Sequence, residues 1–463
     1  MKVMIIGAGK LGYRLAELMD KEDIDVTVVD TNYKTLERIN NHLDVLTVVG
    51  NGIEIASLKE LDIETYDLLI ATTDSDEANT LICSLAKKLS CKQTIARIRN
   101  PEFSEQFSFV KNEMGIDHIV NPDLTTAIEI KRYLMKSYNF HTGDFAKGKV
   151  SIFDFNIGNM SRFIRKRLMD LQSFDGFLIT AISRDGNLII PNGSTELEEN
   201  DMLHIIGKSK EVNKLAENLK LSRDKRSSKK IMILGGGKIG YYLAQRLETR
   251  DVNVTLIEKD IDRCRYLAVK LHNTMIIHGD GTDIDILEEE NLESMDAFVG
   301  TTDYDEQNLL MALVAKQSGV NKTIAKISRP NYIRIIDTLD IDVAFNPVDI
   351  TASEILKFIR GGKVVSVSLL LGGEGEVTEI IAEEGSPIVG KPLYELNLPE
   401  GIIIGAVLHR GQVIIPDGNT IIHKNDRMVI FTLASDISIL KKMLSPNKGG
   451  RFSELWNRNK GIR

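Results

Sequence analysis

Two hexapeptides in this 463-residue chain have the residue types and spacing to hold a phosphate. Gly7-Ala8-Gly9-Lys10-Leu11-Gly12 and Gly235-Gly236-Gly237-Lys238-Ile239-Gly240 are both G-x-G-x-x-G turns. In such a turn the first glycine permits the tight bend, the second lets a diphosphate approach the backbone, and the third lets helix and strand pack closely. The free N–H groups that open the following helix face the anion, worth about 0.3–1 kcal/mol per charge at an exposed helix end. An acid follows each turn at the distance of a ribose: Asp30 after Val26-Thr27-Val28-Val29, and Glu258 after Val252–Ile257. Asp30 can accept hydrogen bonds from both ribose hydroxyls, and a hydrogen bond to a charged group contributes about 1.5–3 kcal/mol. The same carboxylate would repel a 2′-phosphate, so NAD is expected over NADP.

The elements that must position these residues are legible around them. Lys2–Ile6 is a short apolar, β-branched run of the kind that forms a buried parallel strand. Leu11, Leu15, Leu18 and Met19 then recur on one helical face. Further strands are expected near Val26–Asp30, Val45–Val49, Leu68–Ala71, Thr94–Ile98 and His118–Asn121, with a closing helix from an Asp123 N-cap to about Ser137. Strand and helix alternate throughout, which predicts a doubly wound parallel sheet. From about Gly148 the texture changes. Val150–Ile157 reads as a strand, Arg184-Asp185-Gly186-Asn187 as a hairpin turn, Met202–Ile206 as another strand, and Ser209–Leu219 as a short helix. The whole pattern then returns. Gly235 stands 228 positions after Gly7, as Glu258 does after Asp30; Thr301-Thr302-Asp303 answers to Thr72-Thr73-Asp74, and Asn346-Pro347 to Asn121-Pro122. The fold class expected is therefore α/β: two Rossmann-like domains (1–140 and 229–360), each followed by a small α+β domain (141–222 and 361–446). The polar run Ser222–Lys229 reads as a linker and Pro446–Arg463 as a frayed tail.

Composition narrows the function. The net charge of −8 argues against non-specific nucleic-acid binding. No apolar run approaches the 18 residues a spanning helix needs, and Met1-Lys2 leads directly into a strand, leaving no room for a signal peptide. Cys83, Cys91 and Cys264 fit no zinc spacing and read as idle thiols in a reducing cytosol. A dinucleotide fold raises the alternative of an NAD-dependent oxidoreductase, but fold does not decide function. Hydride transfer needs a proton donor or acceptor beside the substrate carbon. None of the eight histidines lies in a recognisable catalytic context, and no Tyr-x-x-x-Lys relay follows either turn. Asp74, Asp76 and Glu77 read as catalytic carboxylates, as a cation site, or as acids at a helix N-terminus, the last being the expectation. Arg162, Arg165, Lys166 and Arg167 read as solvated helix surface or as a contact for a ligand phosphate or an acidic partner, the first being the expectation.

Ile5-Ile6-Gly7-Ala8-Gly9, Val28-Val29-Asp30-Thr31, Thr73-Asp74-Ser75-Asp76-Glu77, Ile95–Pro101 and Ile402–Val407 together resemble the TrkA family, cytosolic subunits of Trk-type potassium uptake built from RCK_N (KTN) and RCK_C domains. The resemblance covers nearly the whole chain. It implies binding of NAD(H) and ATP or ADP. It also implies assembly into a ring, here a homotetramer of two-copy chains, beneath a membrane-embedded potassium transporter that the ring regulates. Carried over residue by residue, Gly7 to Leu11 would hold the phosphates and Asp30 the ribose. Thr73 and Asp74 would border the ligand, Arg97 would sit near the phosphates, and Arg99 would reach the terminal phosphate of ATP through its bidentate fork. In the second copy Gly235 to Ile239, Glu258, Thr301 and Thr302 match. Lys326 and Ser328 replace Arg97 and Arg99, so a less charged ligand is expected there. Asn51 stands where Asp280 does.

Overall fold

The computed structural model describes residues 1–22, 24–104, 106–135, 145–159, 163–171, 176–185, 187–218, 229–248, 251–329, 332, 339, 341–361 and 363–444. Six parallel strands, β1 (Lys2–Ile6), β2 (Asp25–Asp30), β3 (Leu46–Val49), β4 (Leu68–Ala71), β5 (Gln93–Arg97) and β6 (His118–Val120), lie in the order β3-β2-β1-β4-β5-β6. β1 is central: Ile6 pairs with Val29 on one side and Ala71 on the other. Val3, Met4 and Ile5 are wholly buried as a result, and a strand covered on both faces must be continuously apolar. The strand order reverses between β1 and β4, so the crevice at their carboxyl ends is the switch point where such sheets take ligands.

The small domain that follows is a four-stranded antiparallel sheet of β7 (Val150–Asn156), β8 (Phe177–Arg184), β9 (Asn187–Ile189) and β10 (Met202–Lys208), ordered β7-β10-β8-β9, with a helix at Ser209–Asn218. Arg184 pairs with Asn187 across the expected hairpin turn, with Asp185 at φ +50°. The second copy repeats the parallel sheet with β11 (Lys230–Leu234), β12 (Asn253–Glu258), β13 (Thr274–His278), β14 (Ala297–Gly300), β15 (Lys322–Lys326) and β16 (Val343–Phe345) in the order β13-β12-β11-β14-β15-β16. Among the described residues its small sheet has one more edge strand. β17 (Val364–Leu370), β18 (Gly375–Ile381), β19 (Ile402–His409), β20 (Gln412–Ile414) and β21 (Arg427–Leu433) are ordered β17-β18-β21-β19-β20.

Two readings of the sequence are corrected. The helix closing the first sheet runs Pro122–Met135, and its cap is Asn121, whose Oδ1 accepts the Leu124 N–H at 3.0 Å. Pro122 needs no N–H partner and has a helical φ already set, so it takes the first helical position and moves the cap back one residue. Asp123 is thereby left free for another use. The basic residues near 165 are not on a helix: Arg165 stands at φ +62° and Arg167 bridges to Glu196. A left-handed residue interrupts any helix. Arg162, most of the 222–229 linker and the 446–463 tail lie outside the described residues.

The four domains make two compact units, one formed by both Rossmann-like domains and the other by both small domains. Within the first unit, Ala127, Ile130, Tyr133 and Leu134 of helix Pro122–Met135 share a core with Ile231, Ile233, Leu243 and Leu247 of the second copy. Each such Leu or Ile contributes about 1.5–3 kcal/mol when fully buried, so a helix of the first copy completes part of the second copy's core. Within the second unit β19 passes close over the first small sheet. A Cβ on Gly405 would lie 3.0 Å from Thr180 Cγ2 and 3.1 Å from Ile206, which accounts for the glycine in Ile402–Val407.

One polar group in the Rossmann core carries a pH signature. Lys322, at the start of β15, is 6 % exposed and donates through Nζ to the Tyr133 and Leu134 carbonyls at 3.4 and 3.2 Å. A cation suits a helix C-terminus, but burial outweighs this and pulls the ammonium down to about 8. Above that pH the folded chain has released a proton that the unfolded chain keeps until about pH 10.5. Stability therefore gains from this group as pH rises through that window, by about 3 kcal/mol in all. Lys322→Met removes the gain. Melting curves of both proteins at pH 7 and pH 10 are expected to show the methionine variant at least as stable at pH 7 and relatively weaker at pH 10. A pH-independent difference would contradict the assignment.

Candidate functional site

Gly7 leaves β1 at φ +103°, a conformation open to glycine, and its N–H donates to Val29 O at 2.9 Å. Its carbonyl turns back to accept from Thr72 Oγ1 at 2.9 Å. Gly12 lies against that carbonyl: a Cβ there would be 1.9 Å from Gly7 O. Gly9 is different, because a Cβ on it would meet nothing within 4 Å. It is the position in the turn with open space beside it. Gly9 also caps helix Lys10–Asp20 without any side-chain hydrogen bond, so the first-turn N–H groups point outward for an anion. Gly235, Gly237 and Gly240 repeat the arrangement, with φ +102° at Gly235, open space at Gly237 and 2.0 Å from a Gly240 Cβ to Gly235 O.

The acids that follow the two turns are built into them. Asp30 Oδ2 accepts the Ala8 N–H at 2.7 Å and Oδ1 accepts Asn32 N–H at 2.8 Å. Glu258 does the same for Gly236 at 2.7 Å and Asp260 at 2.8 Å. A carboxylate has about four lone-pair positions, so both acids retain capacity for hydroxyl donors. Asn51 Oδ1 accepts Ile53 N–H at 3.2 Å. Asp280 accepts Thr282 N–H and Oγ1–H at 3.0 and 2.8 Å, and these bonds hold its carboxyl below the usual range.

The far wall rests on two residues that sequence reasoning passed over. Asn79 is fully buried; its Oδ1 accepts Thr73 N–H and Oγ1–H at 2.8 and 2.7 Å, and its Nδ2 donates to Thr73 O at 3.1 Å and Arg97 O at 2.9 Å. It ties the end of β4 to the end of β5. Asn308 does so in the second copy, bonding Thr302 and the Lys326 carbonyl. The available signal was a wholly polar residue on the inward face of a helix, repeated in Asp76-Glu77-Ala78-Asn79 and Asp305-Glu306-Gln307-Asn308. Asp76 is a helix-terminal acid as expected, and it accepts the Arg99 and Asn100 N–H groups at 3.0 and 2.8 Å. Ser75 is the cap, accepting Ala78 N–H at 3.0 Å.

Arg97 Nη1 donates to Thr73 O at 2.9 Å, and burial together with the neighbouring Arg99 lowers its basicity. Lys326 Nζ makes the same bond to Thr302 O at 2.9 Å. Arg99 grips Asp123 with both arms of its fork, at 2.6 and 3.0 Å. In the second copy both partners change together, to Ser328 and Val348.

A cavity of about 740 Å³ lies inside the unit formed by the two Rossmann-like domains. It brings together Gly7, Gly9, Lys10, Leu11, Asp30, Asn51, Thr73, Asp74, Arg97 and Arg99 with Gly237, Lys238, Ile239, Thr301 and Lys326 of the second copy. Ala8, Gly12, Gly235, Gly236, Gly240, Glu258, Asp280 and Thr302 are not on its wall. Gly12 and Gly240 stand behind their turns, Ala8 lies in the first turn with its N–H on Asp30, and the others belong to the second copy. The cavity holds cations from both copies and a mixed set of acids, the surroundings of a polyanion. Among the described residues of its wall there is no histidine and no tyrosine.

Elsewhere, Asp154 Oδ1, His204 Nδ1, His204 Nε2 and Ser183 Oγ form a chain with contacts of 2.6 and 2.8 Å. Ser183 is 4 % and His204 7 % exposed. A nucleophile must reach its substrate, so this chain is a cross-strand tie over β7, β10 and β8. All three cysteines are buried and free, with burial raising each thiol's pKa. Among the described residues no helix is long and apolar enough to cross a membrane.

The TrkA-N domain family matches residues 3–122 and 231–347, and the TrkA-C domain family matches 152–220 and 377–445. A Trk system potassium uptake protein TrkA homolog 2 of Methanosarcina mazei is 35 % identical over 452 residues, covering 96 % of this chain and 100 % of its own. The Trk system potassium uptake protein TrkA of Azorhizobium caulinodans is 33 % identical over 454 residues, covering 96 % and 98 %. In fold, the chain resembles a GsuK channel bound to NAD, with a TM-score of 0.53 at 19 % identity over 96 % of this chain and 78 % of the other. With both halves of the repeat matched in both of its domains, and with relatives alike from end to end, this chain belongs to the TrkA family.

Proposed function

We propose that this chain is the nucleotide-sensing regulatory subunit of a Trk-type potassium uptake system, acting on the cytoplasmic face of the plasma membrane. Its partner is a membrane-embedded potassium transporter, and four two-copy chains form its ring. The observation that carries the reading is the pair of turns opening toward one charged cavity, each with an acid hydrogen-bonded into it. Binding groups are duplicated there, and the described residues of the wall include no histidine and no tyrosine. We read the chain as binding nucleotides rather than turning them over. The NAD in the GsuK channel of similar fold and the names of the TrkA relatives support the ligand class and the partner.

NAD(H), ATP and ADP all present the diphosphate and ribose that Gly7–Gly12 and Asp30 suit. The first site carries Arg97 and Arg99 and favours the triphosphate. The second carries Lys326 and Ser328 and favours NAD(H) or a diphosphate. A ligand shifts a conformational equilibrium only by its differential affinity for the two states. Carrying a gate from mostly closed to mostly open takes about 5.5 kcal/mol, which a ring can assemble from several smaller site contributions.

The test is a thermal-shift panel of ATP, ADP, NAD and NADH on the full chain, followed by potassium flux through the reconstituted pair. Stabilisation grows with occupancy, so the ranking follows directly. At least one adenine nucleotide is expected to raise the melting temperature and to change flux. Indifference of both readouts to all four would defeat the sensor reading, and nicotinamide reduction coupled to a metabolite would restore the oxidoreductase.

A further inference from the structure

The two glycine turns differ at the edges of the gap in which each one sits. The strand that carries a turn is flanked by the strand ending on the acid and by the strand leading to the next helix cap: β11 lies between β12 and β14, as β1 lies between β2 and β4. A ligand laid from the acid over the turn to the far wall crosses that gap. In the first copy its two edges carry small residues. Thr31 follows Asp30, Ser75 caps helix Asp76–Lys88, and both line the cavity beside the apolar Ile53, Ala78 and Ile82. In the second copy the same places hold Lys259, after Glu258, and Tyr304, at the cap position of helix Asp305–Gln317. Lys259 Nζ lies 5.7 Å from the centre of the Tyr304 ring, within reach of cation–π attraction. The contact joins the two edges of the gap. Serine is a preferred cap and tyrosine is not; the Tyr304 side chain makes no capping hydrogen bond and is 56 % exposed. The exchange gives up a cap for a ring that the helix does not use.

We propose that Tyr304 is the platform on which the second site takes the adenine of its ligand, and that Lys259 covers the ring until the adenine displaces it. The inference rests on the nucleotide reading above and names the group by which the second site selects. Every base has a π face, and stacking on an aromatic side chain changes affinity by roughly 5- to 150-fold. A cation over an exposed ring holds it by only about two- to fivefold, so an adenine wins the exchange. Pyrophosphate has no face to offer and leaves Lys259 where it is. The second site thus reads the base, while the first, with Ser75 in place of the ring and Arg97 and Arg99 at its far wall, reads the phosphates. The freed ammonium stays beside Glu258, to which Lys259 is adjacent in sequence.

The test is calorimetry with ADP and with pyrophosphate on the full chain and on Tyr304→Ala, Tyr304→Phe and Lys259→Met. It is joined to photolabelling of the parent by an azidoadenine analogue of ADP, with the labelled peptides mapped by mass spectrometry. The ring is exposed and caps nothing, so all three variants are expected to unfold in urea as the parent does. Tyr304→Ala is expected to weaken one ADP-binding step by about fivefold or more, and Tyr304→Phe to leave it unchanged. Lys259→Met is expected to strengthen that same step by about two- to fivefold. Pyrophosphate binding should not respond to either tyrosine variant, and label should reach the peptide carrying Tyr304. ADP heats in the parent that Tyr304→Ala leaves unmoved overturn the proposal and leave the nucleotide reading standing. So do weaker ADP binding in Lys259→Met and a label absent from the Tyr304 peptide. A parent that gives no heat with any adenine nucleotide overturns both.

Discussion

Gly12→Ala is expected to abolish nucleotide-induced stabilisation at the first turn and to destabilise the protein even without ligand. The added Cβ would lie 1.9 Å from Gly7 O and 3.1 Å from Thr72 Oγ1. Neither neighbour is a flexible side-chain end. The carbonyl belongs to the tight turn and is held by Thr72 Oγ1. Relief requires helix Lys10–Asp20 to move off the sheet, taking the anion-facing N–H groups with it. Overpacking of a filled core costs about 1–3 kcal/mol and sometimes more, and a clash with backbone belongs at the upper end. Gly9→Ala is the informative contrast. Its Cβ would meet no protein atom within 4 Å, and the residue's φ of −65° suits alanine. The unliganded fold is expected to be unchanged in urea unfolding. Nucleotide affinity should fall about tenfold or more, ~1.4 kcal/mol, because the methyl occupies the ligand's space. Equal unfolding midpoints for Gly12→Ala and the parent would show that the turn is not the rigid cradle described, and unchanged affinity in Gly9→Ala would move the phosphate elsewhere.

Arg99→Ala is expected to remove the preference of the first site for ATP over ADP. A hydrogen bond to a charged group contributes about 1.5–3 kcal/mol, so ATP affinity should drop by roughly 10- to 150-fold, with ADP and NAD much less affected. The variant also strips Asp123, whose side chain is 5 % exposed, of its guanidinium, so a moderate loss of stability should accompany it. Arg99→Lys keeps the charge but not the two-armed geometry, and is expected to lie between. The second copy supplies the converse. Ser328→Arg alone would place a guanidinium beside Val348 without an acid to orient it. Ser328→Arg combined with Val348→Asp restores the pair found in the first copy and should raise ATP binding at the second site. Calorimetry on the four variants and the parent decides the matter. Equal ATP affinity in the parent and Arg99→Ala would remove Arg99 from the phosphate, and no gain in the double variant would mean that the pair does not determine the ligand.

Much of this was readable without coordinates because it depends on neighbours in sequence. The glycine turn, its acid and the apolar strands are local patterns, and strand order β3-β2-β1-β4-β5-β6 follows the ordinary winding of such units. The misreadings have equally local causes. Asp123 is a good cap by residue type, but Pro122 had already claimed the first helical position. Arg165 lies among helix-compatible residues, yet its φ of +62° ends any helix there. Asn79 was missed because a buried asparagine is recognised only by the groups it satisfies, and those lie on two different strands.

The sequence by itself determined that the chain is a duplication, that each copy opens with a glycine turn, and that Arg97 and Arg99 of the first copy give way to Lys326 and Ser328 in the second. Only the tertiary structure decided that like domains associate across the duplication, Rossmann with Rossmann and small with small, when the chain order alternates them. It also decided that Lys238 and Lys326 share a cavity with Arg97 and Arg99, and that Arg14 meets Asp349. Contacts between residues hundreds of positions apart leave no periodicity along the chain. They are set by which apolar faces remain uncovered once each sheet has formed, and that becomes visible only when those faces meet.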